Sequence, residues 1–322
     1  MSPDTAVRQP MRIAVVGVGA VGGVFGARLA HAGHEVIFIA RGATLAALQR
    51  DGLFVESIDG DVVLPSVHAT DRPETVGPVD VVLVGVKATQ VAALAPSLRP
   101  LLGQHTAVIP LQNGVEASAQ LALALGNDVV LEGLCQVIAQ QTAPGRIRHV
   151  AVTPVLEFGP RSVMPMHALA RKQIEPLAQA LREAGLKAIT PGQMDIPLWT
   201  KFLFIEPYGT VGAVTRAPIG VMRSVPETRA LLDRCVHEVL AVAHAVGVAL
   251  PGDAVAKTWA RYDGLPAEST ASMQRDLMAG RPSEFEAQTG AVIRLAGAHQ
   301  VPVPAHDILF AALRPTASAG ST

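Results

Sequence analysis

The stretch that most constrains the fold lies near the start of the chain. Met11-Arg12-Ile13-Ala14-Val15-Val16 runs directly into Gly17-Val18-Gly19-Ala20-Val21-Gly22, an apolar strand delivering a G-x-G-x-x-G turn into a helix. Each glycine has its own duty in such a turn. Gly17 permits the tight turn, Gly19 lets the backbone approach a pyrophosphate, and Gly22 lets the following helix, Val24 to His31, pack on the strand. The phosphates then lie against free amide N–H groups at the positive end of the helix. Glycine-rich turns serve purely steric purposes in many folds, but here strand, turn and helix stand in the order that a dinucleotide site requires. Gly17, Val18, Gly19, Ala20, Val21 and Gly22 are the candidate cofactor cradle.

The segment after the helix bears on which dinucleotide is held. Gly33 closes the helix, Glu35 to Ala40 reads as the second strand, and Arg41-Gly42 comes next. This is about 20 residues downstream, where an NAD-binding chain places an acid for the ribose 2′-hydroxyl. No acid stands there. An arginine at that point suits a 2′-phosphate through a charge-assisted contact, so NADP(H) is the expected cofactor, against the plainer reading of a solvated surface arginine.

Strands and helices alternate to about residue 190. Val79 to Val86 and Ala107 to Leu111 read as buried strands, with a helical stretch around Val91 to Leu98 between them. This is the rhythm of a parallel, doubly wound sheet. Ligands bind outside the carboxyl ends of such strands, which singles out Lys87 after the first strand and Gln112-Asn113-Gly114 after the second. By position alone, each is as readily a solvated lysine or a turn. Arg146 to Val152 and Val155 to Phe158, parted by Thr153-Pro154, read as an antiparallel extension of the sheet. A helix, Ala168 to Ala184, and a short strand, Leu186 to Thr190, close the region. From Ile196 onward the pattern is helical, with segments at Leu198 to Ile205, Glu227 to Val246, Ala254 to Arg261, Ser272 to Ala279 and Phe285 to His299. The small-residue tail from Thr316 to Thr322 reads as frayed. The division expected is a disordered leader over residues 1–10, a nucleotide domain over 11–192 and a helical domain over 193–322.

Composition narrows the partners. The chain has 322 residues, a formal net charge of -1 and no long run of one charge, which argues against nucleic acid. Charged residues make up only 16% and mean hydropathy is +0.34. No apolar run reaches the roughly 18 residues of a membrane span, so no membrane partner is expected. Cys135 and Cys235 stand far apart without a cluster of ligands, so neither a disulfide framework nor a metal site is indicated. The leader lacks the apolar core of a signal peptide, and a cytoplasmic location is the expectation.

Taken together, the motifs resemble those of the ketopantoate reductase family, over residues 11 to about 315. The glycine turn with Arg41-Gly42 is similar to the family's opening and its NADP-phosphate arginine. Val86-Lys87-Ala88 resembles its cofactor-proximal lysine motif, and Leu111-Gln112-Asn113-Gly114-Val115 the loop beside the nicotinamide. Trp199-Thr200-Lys201 resembles the W-x-K that carries the catalytic lysine. Ser272-Met273-x-x-Asp276 resembles the substrate-serine motif, and Ser283-Glu284-Phe285 is similar to the segment with the second catalytic residue, a glutamate. The resemblance implies a Rossmann-type α/β domain followed by an all-helical domain like that of 6-phosphogluconate dehydrogenases. It also implies NADPH-dependent reduction of 2-dehydropantoate, a small 2-keto acid; a homodimer is one possible assembly, and the oligomeric state is not readable from the sequence.

The chemistry is coherent with these residues. Reducing a 2-keto acid needs a hydride, a proton donor for the developing alkoxide and a site for the carboxylate. Lys201 can supply charge and proton, and Glu284 can orient it or bond a substrate hydroxyl. Ser272 and Asn113 are the substrate-binding candidates, with helix capping as the competing role for Ser272; Asp276 reads as structural. One departure stands out. The family's K-x-x-x-N-x-x-x-N places two asparagines where this chain has Ile205 and Gly209, and Pro207 is expected to end the helix before the second. Loss of both amides, with added apolar surface and space, points to a more apolar or bulkier 2-keto acid as the alternative substrate. A redox sensor that binds NADP without turnover is the third reading; binding nucleotide requires neither Lys201 nor Glu284.

Overall fold

The computed structural model describes residues 10–164 and 168–319, so the expected leader lies outside it except for Pro10. The chain divides into two compact units. The first runs to Gln112 and resumes from Ala117 to Met194; the second comprises Asn113–Glu116 and the chain from Asp195 onward.

In the first unit the order is β1 (Arg12–Val16), α1 (Ala20–His31), β2 (Glu35–Ile39), α2 (Gly42–Asp51), β3 (Leu53–Ser57), β4 (Val62–Leu64), β5 (His68–Thr70), β6 (Val79–Val84), α3 (Val91–Leu94), β7 (Leu102–Pro110), α4 (Ala117–Leu125), β8 (Glu132–Ala143), β9 (Arg146–Gly159), α5 (Ile174–Glu183) and β10 (Lys187–Ile189). Strands β5-β2-β1-β6-β7 form an all-parallel sheet. Ile13 and Val15 enter one core and Ala14 and Val16 another, all of them buried. Burial on both faces is why these strands read as unbroken apolar runs. Val91, Leu98 and Leu121 cover one face, and Phe25 and Leu29 of α1 the other.

The later strands do not extend that sheet. Strand β9 pairs antiparallel with β8 and parallel with β3 and β10, and β4 joins β3, giving a second five-stranded sheet. Helix α1 shares a core with both sheets. It fits because its faces are stripped to glycine: an added Cβ at Gly23 would stand 2.0 Å from Ile147, and one at Gly26 would stand 2.6 Å from Phe38. Nor is β9 broken at Thr153-Pro154. The irregularity falls at Val152, with φ +65, where the Ala151 and Val152 carbonyls meet His149 Nε2 at 3.1 and 2.8 Å. The other ring nitrogen lies 2.8 Å from Ser57 Oγ on β3, so a buried imidazole holds the distortion.

The second unit consists of α6 (Asp195–Thr215), α7 (Ile219–Ser224), α8 (Pro226–Ala245), α9 (Ala254–Gly264), α10 (Ser272–Met278), α11 (Thr289–His299) and α12 (Pro304–Ala319). Pro207 does not end α6. It denies the Leu203 carbonyl its usual donor, and beside that gap the Tyr262 hydroxyl donates to the Phe204 carbonyl at 2.7 Å. Packing of Leu203, Tyr208 and Val211 in the core offsets the roughly 3 kcal/mol cost of an internal proline. The tail differs too: residues up to Ala319 are helical, and 320–322 lie outside the described residues. Among the described residues no helix is long and apolar enough to cross a membrane, and no group of three or more His, Cys, Asp or Glu could hold a metal.

Candidate active site

At the nucleotide end the three glycines differ in what surrounds them. Gly17 has φ +94, and an added Cβ would stand 2.6 Å from the Val86 nitrogen. At Gly22 a Cβ would stand 2.2 Å from the Gly17 carbonyl oxygen. Those two are demanded by the protein itself. Gly19, the residue capping α1, has ordinary φ and ψ of -84 and -163, and a Cβ there would meet nothing within 4 Å. Beyond it stand the first amides of α1, at Ala20, Val21 and Gly22, which a helix cannot satisfy internally. The Gly19 cap offers no side chain to them, and no acid occupies the first turn. An open approach to unsatisfied N–H groups at a positive helix end is what a pyrophosphate needs, so the residues fit a dinucleotide.

Around this cradle, Arg41 is exposed at the start of α2 and has no ion-pair partner among the described residues. Lys87 is exposed at the exit of β6. Gln112 is buried, and its Nε2 donates to the carbonyls of Val84 and Val86, each at 2.8 Å. It thereby ties the end of β7 to the exit of β6, beside Gly17.

In the second unit the central side chain is Lys201 on α6, half-buried, whose Nζ donates to Asn113 Oδ1 at 2.8 Å. The fold thus joins two sequence candidates 88 residues apart. The short segment bearing Asn113 is itself held. Arg294 of α11 grips Glu116 at 2.6 and 3.3 Å and donates to the Glu286 carbonyl at 2.7 Å. Gly114, with φ +107, lies so close to the Ala287 carbonyl that a Cβ would stand 2.7 Å away. The turn after Glu284, whose carbonyl accepts the Ala287 and Gln288 amides at 3.1 and 2.9 Å, therefore abuts the Asn113 segment. Glu116, Glu286 and Arg294 escaped the sequence reading because isolated charges so far apart carry no local signal.

Ser272 is exposed in the first turn of α10, but Ala271 is the capping residue. Gln274 closes this helix start by accepting the Ala271 N–H at 3.2 Å, so helix capping does not account for Ser272. Asp276 forms an ion pair with Arg281 at 2.9 Å.

The two positions that depart from the family pattern behave differently. Ile205 is half-buried against the helical core. Gly209 opens no space: a Cβ there would stand 2.8 Å from Met273 Cε, and at Gly212 one would stand 2.6 Å from Gln274 Oε1. Helix α10 crosses α6 on these two glycines, and the room expected at Gly209 is filled by Met273. Of the nearby polar groups, Thr210 bonds Glu206 and Thr289, both at 2.6 Å. The Tyr208 hydroxyl is buried with no hydrogen-bond partner among the described residues. Burial pushes its pKa up to about 12, against the opposing pull of the Arg275 guanidinium.

Behind α6 lies a polar network that sequence spacing cannot reveal. His306, fully buried, donates from Nε2 to Glu206 at 2.8 Å and from Nδ1 to Glu238 at 2.6 Å. Burial alone would push the imidazole pKa down, but Glu206 and Glu238 raise it to about 9. Glu238 also accepts the Ala305 and His306 amides at 2.8 and 3.0 Å. Burial works against its charge, yet His306 and these amides hold its pKa below the usual carboxylate value. The site helix is thus anchored from behind by a charged imidazolium.

A parallel sheet opening on a dinucleotide turn, with a helical unit presenting a lysine–amide pair, defines a nicotinamide-dependent oxidoreductase. Comparison with known proteins gives the family. The model of ketopantoate reductase PanE/ApbA matches residues 13–162, and that of its C-terminal domain matches 195–317. A 2-dehydropantoate 2-reductase of Mycobacterium tuberculosis is 33% identical, covering 92% of this chain and 95% of its own. The crystal structure of a PanE/ApbA family ketopantoate reductase from Ralstonia eutropha superposes with a TM-score of 0.85 at 31% identity, over 97% of this chain and all of that one. A ternary structure of D-mandelate dehydrogenase with NADH shares the fold, with a TM-score of 0.85 at 20% identity, over 97% of this chain and all of that one. The chain belongs to the ketopantoate reductase family, and it is an oxidoreductase of the 2-keto acid class that uses a nicotinamide cofactor.

Proposed function

We propose that the protein reduces 2-dehydropantoate to pantoate with NADPH. The observation that carries this reading is the 2.8 Å bond from Lys201 Nζ to Asn113 Oδ1, which fixes the position of the ammonium on α6. Bound NADPH supplies the hydride to the keto carbon. Lys201 stabilises the developing alkoxide and donates the proton that completes the alcohol. Asn113 directs the ammonium, and Glu284 orients it or bonds a substrate hydroxyl. Ser272 offers its hydroxyl to the substrate carboxylate. On the cofactor, the α1 amides hold the pyrophosphate, Arg41 takes the 2′-phosphate through a charge-assisted contact, and Lys87 adds positive charge at the strand exit.

Ile205 favours a second reading, a 2-keto acid with a more apolar tail, because an apolar side chain replaces an amide that would read a hydroxyl. Both readings are tested by measuring NADPH consumption with ketopantoate and with trimethylpyruvate, its analogue bearing a methyl in place of the hydroxymethyl. Faster reduction of ketopantoate supports the first reading, and faster reduction of trimethylpyruvate supports the second. Turnover of neither, nor of any other small 2-keto acid, would refute both.

A further inference from the structure

We propose that the Tyr208 hydroxyl is the group that reads the tail oxygen of the substrate, replacing the amides absent at Ile205 and Gly209. This rests on the 2-keto acid reductase reading above. Lys201, Ile205 and Tyr208 stand at i, i+4 and i+7 on α6, and therefore on one stripe of the helix. From Lys201 the stripe reads polar, apolar, polar. Ketopantoate presents the same order: its keto group, then a dimethyl carbon, then a hydroxymethyl oxygen. The Cα atoms of Lys201 and Tyr208 are about 10 Å apart along the axis, but helical side chains lean toward the N-terminus. The Tyr208 ring does so, lying 6.1 Å from the ring of Phe204, one turn back. The ring thus lies back toward the preceding turn of α6, between Phe204 and Tyr262, each at 6.1 Å.

The second observation is the unpaired state of that hydroxyl. Tyr208 is only 6% exposed and its oxygen is buried, with no hydrogen-bond partner among the described residues. Folding does not explain this, since leaving a buried hydroxyl unpaired is destabilising. The alternatives on α6 are closed: Thr210 is bonded to Glu206 and Thr289, and Gly209 has no side chain and carries Met273 against it. On α10 the exposed Arg275 acts electrostatically on this hydroxyl, and its long side chain is free to turn toward solvent. A phenol that stays protonated through the physiological range both donates to and accepts from an alcohol.

Tyr208→Phe separates this role from a structural one, because it removes the oxygen and keeps the ring. The free variant is expected to melt no lower than the wild type and to bind NADPH equally tightly. Its preference for ketopantoate over trimethylpyruvate, as a ratio of kcat/KM, is expected to fall about 10-fold or more. A ratio within about twofold of the wild type, or a wild type that already prefers trimethylpyruvate, would overturn the assignment while leaving the reductase intact. A wild type that reduces no 2-keto acid would remove the reductase reading, and this proposal with it.

Discussion

The two units build their sites from different parts of the polypeptide. In the first, the nucleotide end is backbone: the amides that open α1, a glycine with positive φ and a glycine facing open space. In the second, the candidate site is side chains on separate stretches, Asn113, Lys201, Ser272 and Glu284. The contrast shows in what a glycine means. At Gly19 the side chain is missing where a ligand would approach, and at Gly209 it is missing where Met273 already sits. A local motif explains the first, and only the packed structure explains the second.

The largest expected effect tests the backbone half. Gly19→Ala places a Cβ in open space, so stability should change by no more than about 1 kcal/mol. NADPH affinity should drop at least about 100-fold, the loss of two charge-assisted hydrogen bonds of about 1.5 kcal/mol each. Thermal melting and fluorescence titration check the two halves; tight binding by this variant would break the contrast at its root.

Next comes the anchor behind α6. His306 has a folded-state pKa raised to about 9, so its contribution is full below the unfolded value near 6.5 and is lost as pH rises through 9. Denaturant unfolding should show a loss on the order of 3 kcal/mol across that window. The lowered Glu238 acts in the other direction, its share being lost as pH falls through its folded value. His306→Gln should flatten the alkaline slope, and an unchanged slope would show that the network does not carry it.

Arg41→Ala should weaken NADPH by about 1.5–3 kcal/mol and leave NADH nearly unaffected; equal wild-type affinities for the two cofactors would cancel the 2′-phosphate assignment. The smallest effect sharpens the side-chain half. Gly209→Asn restores the family pattern on paper, yet it should destabilise by about 1–3 kcal/mol because Met273 must give way. A variant as stable as the wild type would mean that α10 does not depend on this close crossing.

Much of the nucleotide unit was legible because its signals are local. The run from Ile13 to Val16, the spacing of Gly17, Gly19 and Gly22, and the apolar strand at Val79 each act within a few residues. The second sheet was not legible: β9 looked like more of the first sheet, and only the approach of Ile147 to Gly23 shows that it covers α1 instead. Pro207 misled in the opposite sense, since intrinsic helix preference yielded to packing around Leu203 and Val211. In the candidate site, Lys201 and Asn113 were each singled out by motif, but nothing in the sequence tied them together. Gln274, Arg294 and His306 gave no signal because their partners are set by tertiary contacts, not by spacing.

The division of labour between the units is tested most directly by Lys201→Ala, with NADPH affinity and ketopantoate turnover measured on the same preparation. The predicted result is NADPH binding within about twofold of the wild type and a kcat reduced at least about 100-fold. Near-normal turnover, or a loss confined to NADPH affinity, would contradict it.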